Sequence, residues 1–213
     1  MVNNEDNTHR YANMTDPLLI QQSIKELISK LYSKNDYQAF GAYDYKPVWI
    51  DYDFQNIIPS VIDQIKTICK LQGVESEWDR HYYSSFEIFF SIPPFAPRGN
   101  YQDFINFIKK ANGQIYEFWF RISILGPFAT PIDIGNFSLI SEEKYQVEYM
   151  QTRPEFEHKD VIECIEKVLK KNNIYVIPKS FLTKKIEGMT GHVHFTNIPP
   201  SIFNCIFGDR VYE

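Results

Sequence analysis

Apolar side chains recur at Ile20, Ile24, Leu27, Ile28 and Leu31, three and four residues apart, which places them along one side of a helix. Asp16 stands where an N-cap belongs and Pro17 at the first helical position, so the pattern predicts a helix over about 17–33. The period then changes. The run YQAFGAYDYKPVWIDYDF alternates aromatic and polar positions and is interrupted by Gly41 and Pro47, which predicts two strands joined by a turn. A second helix carries Ile58, Val61, Ile62, Ile65, Ile68 and Cys69 on its apolar side, with Pro59 near its start and Gly73 just past its end.

YSSFEIFFSI (83–92) predicts a strand that ends at Pro93-Pro94 and the loop FAPRGN. Asn100 can cap a short helix whose inner side is Phe104, Phe107, Ile108 and Ala111, closed by Asn112-Gly113. QIYEFWFRISIL is the most strand-like stretch of the chain. It puts Ile115, Glu117, Trp119, Arg121 and Ser123 on one face and Tyr116, Phe118, Phe120, Ile122 and Ile124 on the other. After Gly126-Pro127, PIDIGNFSLI and KYQVEYM predict two more strands, so three consecutive strands can meander antiparallel.

The last third returns to helix. Phe156, Val161, Cys164, Ile165, Val168 and Leu169 share one side over about 155–172, and Lys167, Lys170 and Lys171 suit the negative end of its dipole. IYVIP reads as a short extended piece, SFLTKKIEG as a short helix, and GHVHFTN as a strand before Pro199-Pro200. Strands and helices mixed without a βα alternation predict an α+β fold, a single domain with a mainly antiparallel sheet and about four helices. The domain is expected over residues 17–213. MVNNEDNTHRYANMTDP lacks a basic segment followed by an apolar one, so residues 1–16 read as a flexible arm and not as a signal peptide.

Composition narrows the class. With 44 % hydrophobic and 16 % aromatic residues among 213, the chain can bury a core unaided, and disorder of its body is excluded. The 14 tyrosines suit surfaces that bind a partner, although a biased genome explains them as simply. A formal charge of −5 argues against nucleic acid, whose binders carry a basic excess, and favours a basic protein partner. Cys69, Cys164 and Cys205 are odd in number and lie far apart in apolar surroundings. They read as reduced core residues, which together with the absence of an export signal predicts a cytoplasmic protein. The longest uncharged run, 188–208, holds His192, His194, Asn197, Pro199, Pro200 and Asn204, so it predicts no membrane span.

Candidate chemistry is sparse. His192 and His194, two apart on a strand, would point the same way and could share a zinc ion if His81, His158, Asp51, Asp53 or Glu87 came to meet them. The simpler expectation is that Val193 and Phe195 pack inward while the imidazoles face out. His194-Phe195-Thr196 resembles one H-x-T element of the two-histidine phosphoesterases, in which paired histidines serve as acid and base. That chemistry needs two such elements, and no other histidine here is followed by x-Thr or x-Ser. There is no G-x-S-x-G, no phosphate-binding glycine loop and no C-x-x-C. No catalytic residue and no cofactor is therefore assigned. VESEWDRHYY has no amphipathic period and sets Trp78 and Tyr82 among Glu77 and Asp79. Aromatics beside carboxylates on a loop suit a basic partner, so Glu77, Trp78, Asp79 and Tyr82 are the predicted contact residues.

FWFRISILGPFATPIDIG (118–135) and PPSIFNCIFGD (199–209) resemble stretches of small bacterial immunity proteins from polymorphic or contact-delivered toxin systems. The resemblance falls on core positions, and no functional residue can be carried over with it. It implies a cytoplasmic α+β protein that neutralises a toxin domain by binding it, not an enzyme. The alternative expectation is a metal-dependent or phosphoesterase-like hydrolase centred on His192 and His194. A regulatory subunit with another partner is a third.

Overall fold

The computed structural model describes residues 16–32, 52–77, 84–94, 100–150, 156–191, 193 and 198–208. Helix α1 (Pro17–Leu31) starts where predicted, with the Asp16 carboxylate accepting from the Leu18 amide at 2.9 Å. Helix α2 (Tyr52–Ile68) begins earlier than its apolar pattern suggested, and Tyr52–Phe54, expected in a strand, belong to it. The rest of that expected strand pair, 37–51, lies outside the described residues. Pro59 is inside α2, not near its start. It lies on the exposed side, where water can serve the carbonyl left without an amide donor.

Among the described residues a seven-stranded sheet follows, interrupted by helices. Strand β1 (Glu75–Glu77) pairs antiparallel with β2 (Ser85–Ile92), and β2 with β3 (Gln114–Ser123). Helix α3 (Tyr101–Lys110) comes between β2 and β3, capped by Asn100 Oδ1 on the Asp103 amide at 3.0 Å. It is closed by Asn112 and Gly113 at positive φ. Beyond β3 the sheet divides. Strands β4 (Phe128–Ala129) and β5 (Asp133–Ser141) both lie along β3, one pairing with its C-terminal end and the other with its N-terminal half. Pro131 stands between them and has no amide to donate, while Thr130 holds the gap by donating its amide to Arg121 O (3.0 Å) and accepting the Arg121 amide on its hydroxyl oxygen (2.9 Å). On their far sides β5 pairs antiparallel with β6 (Lys144–Met150), and β4 pairs parallel with β7 (Tyr175–Val176). The predicted meander is thus β3, β5 and β6.

The alternation along β2 and β3 decides which face is covered. Ile88, Phe90, Phe118, Phe120 and Ile122 point into the larger core, closed by Ile58, Val61, Ile62 and Ile65 of α2 and by Ile162, Ile165, Val168 and Leu169 of α4 (Lys159–Lys171). Phe90 and Phe118, opposite each other in the register, stack with ring centres 4.8 Å apart. Burying these aromatic and aliphatic side chains drives the fold, at about 1.5–3 kcal/mol each.

The second core is helical. Ile24, Ile28 and Tyr32 of α1 and its cap meet Phe128, Ile177, Phe181 and Leu182 of α5 (Lys179–Leu182), and α6 (Ile202–Phe207). Every residue of α6 is buried, so its ends must find partners inside the protein. Asn204 Oδ1 accepts from the Ser201 amide and hydroxyl at its start. At its end Ser84 and Ser123 donate to Ile206 O (3.0 and 2.7 Å), and Ser85 donates to Phe207 O (2.6 Å).

One expectation fails here, and a second is described only in part. Cys69 and Cys164 are joined in a disulfide between the end of α2 and α4, with Cα atoms 5.7 Å apart. Two helices brought side by side explain a pair that 95 residues of sequence separate. Cys205 is free and buried. The expected strand GHVHFTN is not seen among its described residues: Gly191 and Val193 lie in bends, with Val193 buried. The remaining residues of that stretch, His192 and His194 included, lie outside the described ones. The α+β fold with a mostly antiparallel sheet is present, and among the described residues two short helices stand beyond the four long ones. Among the described residues no helix is long and apolar enough to cross a membrane.

Candidate interaction surface

The face of the sheet opposite the larger core is built from the odd-numbered residues of its strands. The registers place them in rows across the sheet. Glu77, Glu87 and Arg121 form one; Glu75, Phe89, Trp119 and Asp133 the next; then Ser91, Glu117, Gly135 and Tyr149; then Ile115, Phe137 and Val147. Helices cover both ends. Phe104 of α3 packs its ring edge-on against Phe137 and Tyr145, with centres 5.3 and 5.0 Å apart, and Tyr101 lies 5.4 Å from Tyr145. At the other end Phe203 of α6 lies under Arg121, whose Cζ is 5.9 Å from the ring centre.

Between the two helices the face mixes rings and carboxylates. Phe89 and Trp119 are half-buried, and Tyr149 is 74 % exposed with its ring perpendicular to Trp119 at 5.9 Å. Gly135 makes room for this arrangement. A Cβ there would stand 3.1 Å from Cη2 and Cζ3 of Trp119, so the indole lies across the glycine from the neighbouring strand, as aromatics do over strand glycines.

Charge on this face is one-sided. Among the described residues it carries Glu75, Glu77, Glu87, Glu117 and Asp133 against one guanidinium, that of Arg121. Arg121 is spoken for: its Nη2 meets Glu87 Oε2 at 3.1 Å, with side chains 5 % and 26 % exposed. That pair holds β2 to β3 beside α6. A cation approaching would meet negative potential around an aromatic floor, where each supports the other.

The opposite face carries a cluster of rings. Tyr116, Phe118, Phe156 and His158 have ring centres 5.1 to 6.3 Å apart, so they pack on one another and not around a guest. Burial, reinforced by a hydrogen bond to Glu157 and its charge, pushes the Tyr116 hydroxyl up to about 12.

Of the four predicted contact residues, Glu77 is described: it is exposed at the end of β1, on the acidic face beside Glu87. Trp78, Asp79 and Tyr82 lie outside the described residues, as do His81, His192 and His194. Among the described residues no group of three or more His, Cys, Asp or Glu side chains is placed to hold a metal ion. Sequence reasoning did not single out Phe89, Trp119, Glu117, Asp133 or Tyr149. The signal was present for two of them, because the alternation of β3 had put Glu117 and Trp119 on one face with Arg121, a mixture too polar for a core and too aromatic for plain solvent. Comparison of the chain with protein-family models, curated proteins and solved structures finds no match.

Proposed function

We propose that this protein is an immunity-type binding protein, which neutralises a basic protein partner such as a toxin domain by occluding its surface. The observation that carries the reading is the acidic and aromatic sheet face centred on Trp119 and Tyr149, with Glu77 at its margin. Half-buried rings supply desolvated anchor area, and carboxylates around them supply steering and register toward a basic surface. A cytoplasmic location belongs to the same reading. It requires the Cys69–Cys164 pair to be open in the cell, because cytosolic thiols are kept reduced.

The test is to co-express the chain with the product of the gene beside its own and to measure their association. Binding should relieve any growth arrest and weaken as salt rises. Glu77→Lys with Glu117→Lys should slow association at least about tenfold, and Trp119→Ala should speed dissociation. A neighbour that is neither toxic nor bound would overturn the reading, and binding untouched by these changes would remove the surface from it.

A further inference from the structure

Strand β6 has β5 on one side, and among the described residues no strand pairs with its other side. It runs seven residues, KYQVEYM, without proline. Lys144, Gln146, Val147, Glu148 and Tyr149 are exposed, Val147 by 38 % and Tyr149 by 74 %. An edge of this length offers a row of amides and carbonyls to another strand. The residues on it also specify which strand.

Laid antiparallel against itself about Val147, the segment matches throughout. Val147 faces Val147, Tyr145 faces Tyr149, Gln146 faces Glu148 and Lys144 faces Met150, each pair occurring twice except the first. One face then carries two tyrosine pairs around a valine pair, the aromatic and β-branched contacts that stabilise neighbouring strands. On the other face each Lys144 becomes a diagonal neighbour of the second copy's Glu148, at about 7–8 Å between backbones and within reach of two long side chains, two attractive contacts against the one diagonal between the two Glu148 carboxylates. The neighbouring axes do worse. An axis at Gln146 leaves Tyr149 and Met150 beyond the end of the opposing strand, and one at Glu148 sets two carboxylates face to face.

We propose that this protein pairs with a second copy of itself through β6, antiparallel about Val147. The two sheets become one, and their acidic aromatic faces lie side by side, Tyr149 of each next to Tyr145 of the other. This pairing stands independently of the neutralised partner, since it concerns the edge of the sheet and not its face.

Sedimentation equilibrium of the full chain, from micromolar to submillimolar concentration, tests it. The expected result is a reversible dimer. Val147→Lys, which sets two ammonium groups opposite each other on an exposed site, should yield a monomer with unchanged circular dichroism, whereas Val147→Thr should still pair. Lys144→Glu should weaken the dimer about tenfold by opposing carboxylates on the diagonal, and adding Glu148→Lys should restore it. A monomer at every concentration overturns the proposal. So does a dimer that Val147→Lys leaves intact, because its contact then lies elsewhere.

Discussion

Gly135 and Trp119 show how one residue without a side chain shapes the candidate surface. Alanine for glycine in a strand ordinarily stabilises by about 0.5–1 kcal/mol. At this position the added Cβ would stand 3.0 Å from Phe137 Cε2 and 3.1 Å from two atoms of the indole. Both neighbours are edges of stiff rings, so crowding outweighs the gain, and Gly135→Ala should lower stability by about 1 kcal/mol. Urea unfolding would read this, and in a Trp119→Ala background the cost should shrink. An unchanged midpoint would mean that the rings give way freely. Tyr116 makes a second prediction. Its hydroxyl is held up to about 12 against an ordinary 10.0, by burial first and then by Glu157. The unfolded chain loses this proton earlier than the folded one, so ionisation favours unfolding, and stability should fall as pH rises from 10 to 12. Tyr116→Phe should flatten that part of the stability curve. At this scale the alternation of β3 was legible in full, because a strand admits only two directions for a side chain. The room that Gly135 gives Trp119 was not, since the two meet across strands.

Elements were legible where their own residues carry the signal. Asp16-Pro17 and Asn100 start α1 and α3 with the hydrogen bonds their side chains predict, because a cap is satisfied within three residues. Helix α6 was missed for the opposite reason. SIFNCIFG is apolar all round, which gives no period, and its last carbonyls are served by Ser84, Ser85 and Ser123 from far along the chain. The disulfide is a similar case. Cys164 was rightly read as lying on the apolar side of a helix and Cys69 stands in the turn just past α2, but only the packing of α2 beside α4 sets them together. Alkylation of the unfolded, unreduced protein should therefore modify one thiol, Cys205, and three after reduction. Closing so long a loop contributes about 4.7 kcal/mol in the chain-entropy account, and measured effects run lower, so Cys69→Ala with Cys164→Ala should lower stability by about 2–4 kcal/mol. Three reactive thiols without reductant would show the pair open. The same assay on cells alkylated at lysis bears on location, since a bridge closed in the cell is foreign to a cytoplasm.

The described residues form two cores, and adjacent residues of β4 serve one each, Ala129 the larger and Phe128 the helical. Phe128 on the β4 branch belongs to the helical core, while Phe118 and Ile134 on the β3 and β5 side belong to the larger one, and Leu27 and Leu31 of α1 touch both. Pro131 marks the division in the sequence, yet it reads there only as a turn residue. By itself the sequence determined the class of fold, the long helices, the antiparallel run of β3, β5 and β6, and a net acidity, since each of these is set by periods of two or 3.6 residues or by plain composition. The tertiary structure alone decided the β4–β7 parallel pair, the cysteine bridge, the burial of α6, and the gathering of Glu75, Glu77, Glu117, Asp133, Phe89, Trp119 and Tyr149 on one face. These depend on registers between strands and on contacts between distant segments. A local pattern says which way a side chain points from its own strand, but not which neighbour it will stand beside.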